Sequence, residues 1–393
     1  MLSTKHGSLS RPQSTIATTS HPSKRDGGTA KESQRGARKY RAHKGSNRFF
    51  LFGLVMTSDD NPLPFLASLA YMVALPVLWF VFVAPFTWRH VSPAPVIVFA
   101  YVWLVAASSM CVTAWKDPGV LPRDLDPDPP CTSGGSGDLL DPEDPLAVPL
   151  PRVIRVRNGT DLKVKWCDTC GTYRPPRSSH CRVCDNCVEN IDHHCTFLNT
   201  CIGRRNYFTF FAFLIFSLLA CFISIAFCVV QLYLLTRPTT QRLPGGGFGE
   251  GKDFGQALKH APLTAVVFLL SVMVTAPLLT LFGYHVRLVG MNRTTVEQIR
   301  INTTKRYGGT EDNASSIGGD EKGQRWWQKA SLCPCSKLGV PGKDPNPFAL
   351  RTVYRNTRSV LCRPNNRSWI DRRGREVIDR RKTNPGWVQP QQQ

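Results

Sequence analysis

The sequence predicts an all-α polytopic membrane protein, with four transmembrane helices and a small Cys-rich cytosolic domain between the second and third. Three observations predict it. Four long apolar segments carry no formal charge, basic residues concentrate in alternate connecting segments, and seven of the 14 cysteines fall between Cys167 and Cys201.

A bilayer core needs on the order of 20 apolar residues in helix. Segments 63–85, 94–115, 207–235 and 262–284 meet that length and contain no Lys, Arg, Asp or Glu, although the second holds Ser108, Ser109 and Thr113. A soluble core contains one helix that apolar at most, not four. The mean hydropathy of −0.18 reflects dilution of these segments by long polar ones. Lys and Arg number 11 before the first segment, 1 between first and second, 12 between second and third, 4 between third and fourth, and 21 after the fourth. Because positive loops stay on the cytosolic side, both termini and the segment between spans two and three are expected there. A net charge of +21 and a pI near 9.7 would suggest nucleic acid in a soluble protein. On a membrane protein the same excess suits loops facing anionic lipid, so the bilayer is the expected partner and nucleic acid is not. The charge-free spans argue against a transporter or channel.

The polar parts divide by composition. Residues 1–60 read as a disordered basic cytosolic tail. The first 45 lack an apolar core for a secretory signal, and 1–25, free of acidic residues, share the composition of transit peptides but no apolar stripe. Spans one and two occupy 63–115, and 116–160 is a cytosolic linker whose 117–150 part is rich in Pro, Asp and Gly. A Cys/His domain fills 161–206, spans three and four fill 207–285 around a Gly245-Gly246-Gly247 turn, and 286–393 is a cytosolic tail. The Asn-x-Ser/Thr matches at Asn158, Asn292, Asn302, Asn313 and Asn366 face the cytosol and are read as chance. Asp117-Pro118-Gly119 reads as the turn that ends span two. Thr294-x-x-Glu297 has capping-box spacing, with Thr294 as N-cap.

The chemistry is concentrated in Cys167-x2-Cys170-x9-His180-Cys181-x2-Cys184-x2-Cys187, followed by Asp192-His193-His194-Cys195 and Cys201. A Cys-x-x-Cys turn brings two thiolates to one ion, and zinc takes four such N/S ligands. Few large apolar residues are present here, so bound metal must supply much of the folding energy, and a reducing compartment suits the cysteines. Ten candidate ligands exceed the eight that two closed sites use, so either two remain free or more ions are bound. A module with every Cys and His ligated would be a zinc-bearing membrane adaptor without chemistry. A His beside a Cys is, however, the pair an activated thiol nucleophile needs. Cys195 also stands only about a dozen residues before span three, which holds any reactive thiol at the membrane surface.

These residues resemble the DHHC family of protein S-acyltransferases, commonly called palmitoyltransferases. The likeness covers the four spans, the ligand spacing, Asp117-Pro118-Gly119 and Thr294-Thr295-Val296-Glu297, roughly residues 45–300. It implies two structural Zn2+ ions, one on Cys167, Cys170, His180 and Cys187 and the other on Cys181, Cys184, His194 and Cys201. His193 and Cys195 are then free. It further implies transfer of a long-chain acyl group, palmitoyl or similar, from acyl-CoA to Cys195 and on to cysteine thiols of membrane-associated proteins. His193 would take the Cys195 proton, with Asp192 orienting the imidazole. Where the family has Pro-Trp after its signature this chain has Thr196-Phe197, which removes an indole N–H and a proline constraint. Arg174, Arg177, Arg204 and Arg205, with Lys163, Lys165 and Arg182, are candidate partners for the CoA phosphates. A sixteen-carbon chain spans roughly 20 Å, about 13 helical residues, so counting from Asn206 its end is expected near Ala220 and Cys221.

Asn346-Pro347-Phe348 with Tyr354-Arg355-Asn356 resembles a family tail motif in which an asparagine packs the tail on the core. Gly45-Ser46-Asn47-Arg48-Phe49-Phe50 and Leu361-Cys362-Arg363-Pro364 are similar to the fungal Ras-acylating subgroup. That likeness implies a Ras-type GTPase as substrate, a small accessory subunit and the endoplasmic reticulum membrane, with the Golgi as the alternative. Cys333, Cys335 and Cys362 are candidates for acylation themselves.

Overall fold

The computed structural model describes residues 38–133, 139–140, 147–156, 159, 161–242, 248–249, 253–307, 346–364 and 367–370. The first 37 residues of the expected tail, the Gly245-Gly246-Gly247 turn, Asn158, Asn313, Asn366, Cys333 and Cys335 lie outside them. The chain opens with a hairpin, β1 (Asn47–Phe50) and β2 (Val55–Ser58), followed by helices α1 (Leu63–Phe82), α2 (Ala84–His90) and α3 (Ala94–Trp115). A small antiparallel sheet of β3 (Cys131–Ser133), β4 (Leu139–Leu140) and β5 (Ala147–Pro149) precedes the hairpin of β6 (Arg152–Arg155) and β7 (Asp161–Val164). Three short hairpins carry the Cys/His block: β8 (Trp166–Cys167) with β9 (Thr172–Tyr173), β10 (Ser179–Cys181) with β11 (Asn186–Val188), and β12 (His193–Cys195) with β13 (Thr200–Ile202). Then come α4 (Tyr207–Thr236), the hairpin of β14 (Thr239–Arg242) and β15 (Phe248–Gly249), α5 (Phe254–His260), α6 (Pro262–Met291), α7 (Thr295–Tyr307) and α8 (Val353–Leu361).

Four helical units are long and apolar enough to cross a membrane: Leu63–His90, Ala94–Trp115, Tyr207–Thr236 and Pro262–Met291. They are apolar around their whole circumference, as lipid-facing helices are; Ile97, Tyr101, Leu269 and Met273 remain exposed on the outside of the bundle. Two of the four outrun the expected limits. The first breaks at Val83 and resumes as α2, with Pro85 in the first turn, where a missing N–H is tolerated. The fourth continues past 284 to Met291, where Asn292 caps it in the left-handed conformation (φ 50°).

Two apolar clusters hold the bundle at its two ends. Near the Cys/His hairpins, Met110 and Ala114 of α3 pack with Phe210 and Leu214 of α4, Val289 of α6, and Leu198 and Ile202. At the other end Trp79, Val83, Phe99, Cys228 and Val267 join all four spans. Several polar groups inside are paired, as Ser224 Oγ is with Ser271 Oγ at 2.9 Å, because lipid offers them no water. Pro76 removes the N–H that would meet the Met72 carbonyl; the Trp103 indole of α3 donates to that carbonyl instead, at 2.9 Å.

Parts of two segments expected to be tail and linker are built onto the Cys/His hairpins. Ser46 N donates to Cys184 O (2.9 Å), Ser58 N to Asn199 O (2.9 Å), and Asn186 Nδ2 to Asn47 Oδ1 (2.7 Å), which fixes the β1–β2 hairpin there. After α3, Asp117 Oδ1 accepts from Gly119 N (2.8 Å) and Val120 N (2.9 Å), closing the expected turn; Gly119 sits at φ 112°, which favours glycine. Leu121 N and Asp124 N then bond the carbonyls of Cys187 and Cys170 (both 2.8 Å), and Val120 and Leu121 are buried. Composition alone misses this, because the order comes from pairing with a distant segment.

The tail returns to the end of α6. Buried Asn356 donates to Gly290 O (2.8 Å) and accepts from Leu350 N (2.7 Å), while Asn346 Nδ2 reaches the Met291 and Asn292 carbonyls (both 3.0 Å). An asparagine thus packs the tail on the core, as the motif implied.

Replacing Trp103 with Phe strands the Met72 carbonyl in the bundle and is expected to lower stability by about 0.5–1.5 kcal/mol. In a Pro76→Ala background, where a helical N–H is restored, the same change should cost measurably less. Thermal unfolding of the four variants in one detergent closes this double-mutant cycle.

Candidate active site

Strand alternation explains how the Asp192-His193-His194-Cys195 run divides its labour. Successive side chains of a strand point to opposite faces, and β12 spans His193–Cys195. His193 and Cys195 therefore share one face, and His194 turns to the other. On that other face His194 Nδ1 lies 3.7 Å from Cys181 Sγ, 3.5 Å from Cys184 Sγ and 3.6 Å from Cys201 Sγ. A second quartet repeats the pattern, with His180 Nδ1 at 3.6, 3.4 and 4.0 Å from the sulfurs of Cys167, Cys170 and Cys187. Each quartet could hold a metal ion. Four ligands of an N/S tetrahedron around a zinc-sized ion stand about 3.6 Å apart, so the spacing fits. Three buried sulfurs around one imidazole are also the donor set that zinc takes. The far ring nitrogens face carboxylates, His180 Nε2 at 3.4 Å from Asp185 Oδ1 and His194 Nε2 at 3.5 Å from Asp60 Oδ2. That is the edge from which a carboxylate orients a metal-ligating imidazole when it accepts the ring N–H. Neither Asp60 nor Asp185 belongs to the ligand spacing, and nothing in the sequence singled them out.

On the first face, His193 Nδ1 meets Asp192 Oδ2 at 2.7 Å. Asp192 is 1% exposed and also accepts from Thr295 N (2.8 Å) and Thr295 Oγ1 (2.7 Å) at the start of α7. Burial alone would raise the Asp192 carboxyl, but the bond from His193, with the Thr295 N–H, holds it below the usual carboxylate range. Burial likewise opposes charge on His193; the hydrogen bond with Asp192, with the neighbouring Cys195 thiol, outweighs it and pushes the imidazole up to about 9. Asp192 and His193 are thus bonded as a pair, and Cys195 stands on the same strand face as His193.

Cys195 opens onto an apolar cavity of about 480 Å3 that runs between the spans. Phe197 and Leu198 line it beside Cys195, Trp103 and Leu214 further in, and Ala220 and Cys221 toward its far end, where the chain-length count expected a sixteen-carbon tail to stop. Phe197, standing where the family has Trp, is 65% exposed, and its carbonyl accepts from Ser68 Oγ of α1 at 2.7 Å. The Thr196-Phe197 departure therefore leaves an aromatic ring at the cavity.

The basic candidates separate. Lys163, Lys165, Arg174 and Arg177 line one groove of about 510 Å3, together with Arg293 and Arg300 of the α6–α7 corner. Arg177 is committed within it: its guanidinium grips Glu297 at 2.8 and 2.9 Å and donates to Asn292 Oδ1 and O at 2.9 and 3.0 Å. Glu297 in turn accepts from Thr294 N (2.8 Å), completing the expected capping box with Glu297 N on Thr294 Oγ1 (3.3 Å). Arg204 and Arg205 do not line that groove; Arg204 shares a smaller adjoining pocket with Arg177 and Arg293 and pairs with Glu189, and Arg205 Nε stands 3.6 Å from Asp117 Oδ2.

Residues 161–302 match the family model described as DHHC palmitoyltransferase. The chain is 32% identical over 344 residues to palmitoyltransferase ZDHHC18 of Mus musculus, covering 87% of this chain and 77% of the relative. Palmitoyltransferase erf2 of Emericella nidulans is 36% identical over 278 residues, 68% of this chain and 43% of that protein. Palmitoyltransferase ZDHHC8 of Homo sapiens is 38% identical over 238 residues, 60% of this chain and 27% of the relative.

The alternation of β12 separates two neighbouring histidines in a way that metal analysis reads directly. His194→Ala is expected to release about one ion per chain, because it opens a closed site, whereas His193→Ala should keep the wild-type metal content. Elemental analysis or native mass spectrometry of the purified variants distinguishes them.

Proposed function

The chain belongs to the DHHC palmitoyltransferase family and is a membrane protein S-palmitoyltransferase; from that premise we propose that Cys195 carries the acyl group, with His193 as its base and Asp192 as the group that orients His193. One observation carries this reading: Cys195 shares one face of β12 with His193, whose ring is bonded to Asp192, and it lines the apolar cavity between the spans.

A thiolate, not a thiol, attacks a thioester. His193 takes the Cys195 proton, Sγ attacks the acyl carbon of palmitoyl-CoA, and the carbon–sulfur bond to CoA breaks as the proton passes to the departing thiol. In the second step a substrate cysteine gives its proton to His193 and attacks the Cys195 thioester, and Cys195 leaves reprotonated. One thioester replaces another each time, so no nucleotide is consumed. The buried acyl chain contributes roughly 0.8 kcal/mol per methylene, which favours the apolar cavity as its seat.

Zn2+ is the ion proposed for both quartets, Cys167, Cys170, His180 and Cys187, and Cys181, Cys184, His194 and Cys201. Four protein ligands close each site, so the bound ions supply folding energy and no reactive water. The groove of Lys163, Lys165, Arg174, Arg293 and Arg300 is the proposed seat of the CoA phosphates, with Arg177 shaping it through Glu297. Arg204 and Arg205, held against Glu189 and Asp117, act in this reading as scaffold.

The charge distribution supports cytosolic termini and a cytosolic site. The likeness of Gly45–Phe50 and Leu361–Pro364 to the fungal Ras-acylating subgroup is the ground for proposing a Ras-type GTPase among the substrates, a small accessory subunit and the endoplasmic reticulum membrane, with the Golgi as the alternative.

Incubation with labelled palmitoyl-CoA tests the assignment. Hydroxylamine-sensitive label on the wild type that disappears in Cys195→Ser, with metal content retained, is the expected result; undiminished label on Cys195→Ser would sink it, and no label on folded wild type would favour a non-catalytic adaptor. Ala220→Phe narrows the far end of the cavity. The ratio of palmitoyl to myristoyl transfer should fall about tenfold, roughly the value of two methylenes, in competition between the two acyl-CoAs.

A further inference from the structure

An imidazole inside a membrane span is costly to bury and marks a functional position by default. His285 lies in α6, one helical turn beyond Leu281 of the acyl cavity, and is 1% exposed. Its Nδ1 is 3.1 Å from the hydroxyl of Tyr207, the first residue of α4. A ring nitrogen of His285, a nitrogen of His193 and a carboxylate oxygen of Asp192 all lie within 4.8 Å of one another. The rings of His193 and His285 are 5.9 Å apart, and Phe210 stands edge-on to both, at 5.5 and 5.0 Å.

From these contacts we infer that His285 is a positioning residue for acyl transfer: held by the Tyr207 hydroxyl, it backs the His193 ring from the membrane side and keeps the Asp192–His193 pair aimed at Cys195. The reasoning rests on the proposed roles of those three residues. Asp192 fixes only one edge of the imidazole, its Nδ1. Rotation and slippage of the ring toward the apolar cavity must be stopped by whatever lies behind it, and Phe210 and His285 are what the fold puts there. Thr295 at the start of α7 donates twice to Asp192, so α6 and its following corner meet the pair at two positions, ten residues apart. The same helix lines the cavity with Val274, Pro277, Leu278 and Leu281, which ties the seat of the acyl chain to the alignment of the base. His285 touches no reacting atom, so its loss should slow the chemistry without weakening acyl-CoA binding.

The experiment uses the full chain in detergent and follows formation of the Cys195 acyl-enzyme from labelled palmitoyl-CoA. His285→Leu and Tyr207→Phe should each lower the rate at saturation by about ten- to a hundredfold, the scale of a small misplacement of a reacting group. The half-saturating concentration should move less than about threefold, because His285 acts after binding. His285→Asn, which returns a polar atom to Tyr207, should recover most of the rate. Tyr207→Phe removes one oxygen and leaves the packing intact, so it reports even where His285→Leu folds poorly. Wild-type rates in both His285→Leu and Tyr207→Phe would overturn the inference, as would equal losses in His285→Leu and His285→Asn beside an unaffected Tyr207→Phe. Three metal ions in the wild type and two in His285→Leu would overturn it too, making His285 a ligand. Cys195→Ser serves as the separate control. Label that persists there defeats the nucleophile assignment, whereas label lost there with His285 variants at full rate defeats this inference alone.

Discussion

The Asp192 carboxylate is where the Cys/His hairpins, the strand of the proposed nucleophile Cys195 and the membrane bundle meet. It is buried, accepts from His193 and twice from Thr295, and so ties β12 to the corner between α6 and α7. A buried carboxylate is tolerated only when its lone pairs are filled. That requirement makes the corner obligatory: Thr295 must start a helix there, and the helix can start there because Thr294 and Glu297 cap each other. Glu297 then meets Arg177, which reaches Asn292 and the tail side chain Phe348. One carboxylate thereby commits a network that runs from the site to the tail.

The bundle and the Cys/His hairpins obey different rules and complement each other. The spans bury a modest share of their surface, face lipid all round and cohere by close packing with a few interhelical hydrogen bonds, as helices do without a hydrophobic drive between them. The hairpins have too little apolar matter for a core and rely on sulfur and imidazole clusters. Placing the hairpins at the end of α3 and the start of α4 sets a polar, rigid strand against an apolar cavity. A long acyl chain with a thioester at its end needs those two environments side by side.

Much of the site was legible because its information is local. Ligand spacing encodes a turn geometry, so Cys-x-x-Cys and the following histidine could be read along the chain, and charge-free length encodes a span. Strand alternation within three residues explains how His193 and His194 part company. The capping box at Thr294 and Glu297 was equally local. The basic residues were not legible in this way: seven candidates of one sign flank the block, and only pairing in space separates Arg204 and Arg205, committed to Glu189 and Asp117, from the groove of Lys163, Lys165 and Arg174.

By itself, then, the sequence determined the four spans, the Cys/His constellation and the thiol at its centre, because each depends on residues a few positions apart. Tertiary structure alone decided that Asp60 and Asp185 face the imidazoles of the two quartets, that part of the expected tail and linker is ordered on the hairpins, and that His285 and Tyr207 stand behind His193. Those contacts join residues far apart in the chain. Helix packing, not chain spacing, sets their distances, so no pattern along the sequence could announce them. The thiol that local spacing marked out, proposed above as the nucleophile, takes its surroundings from this packing.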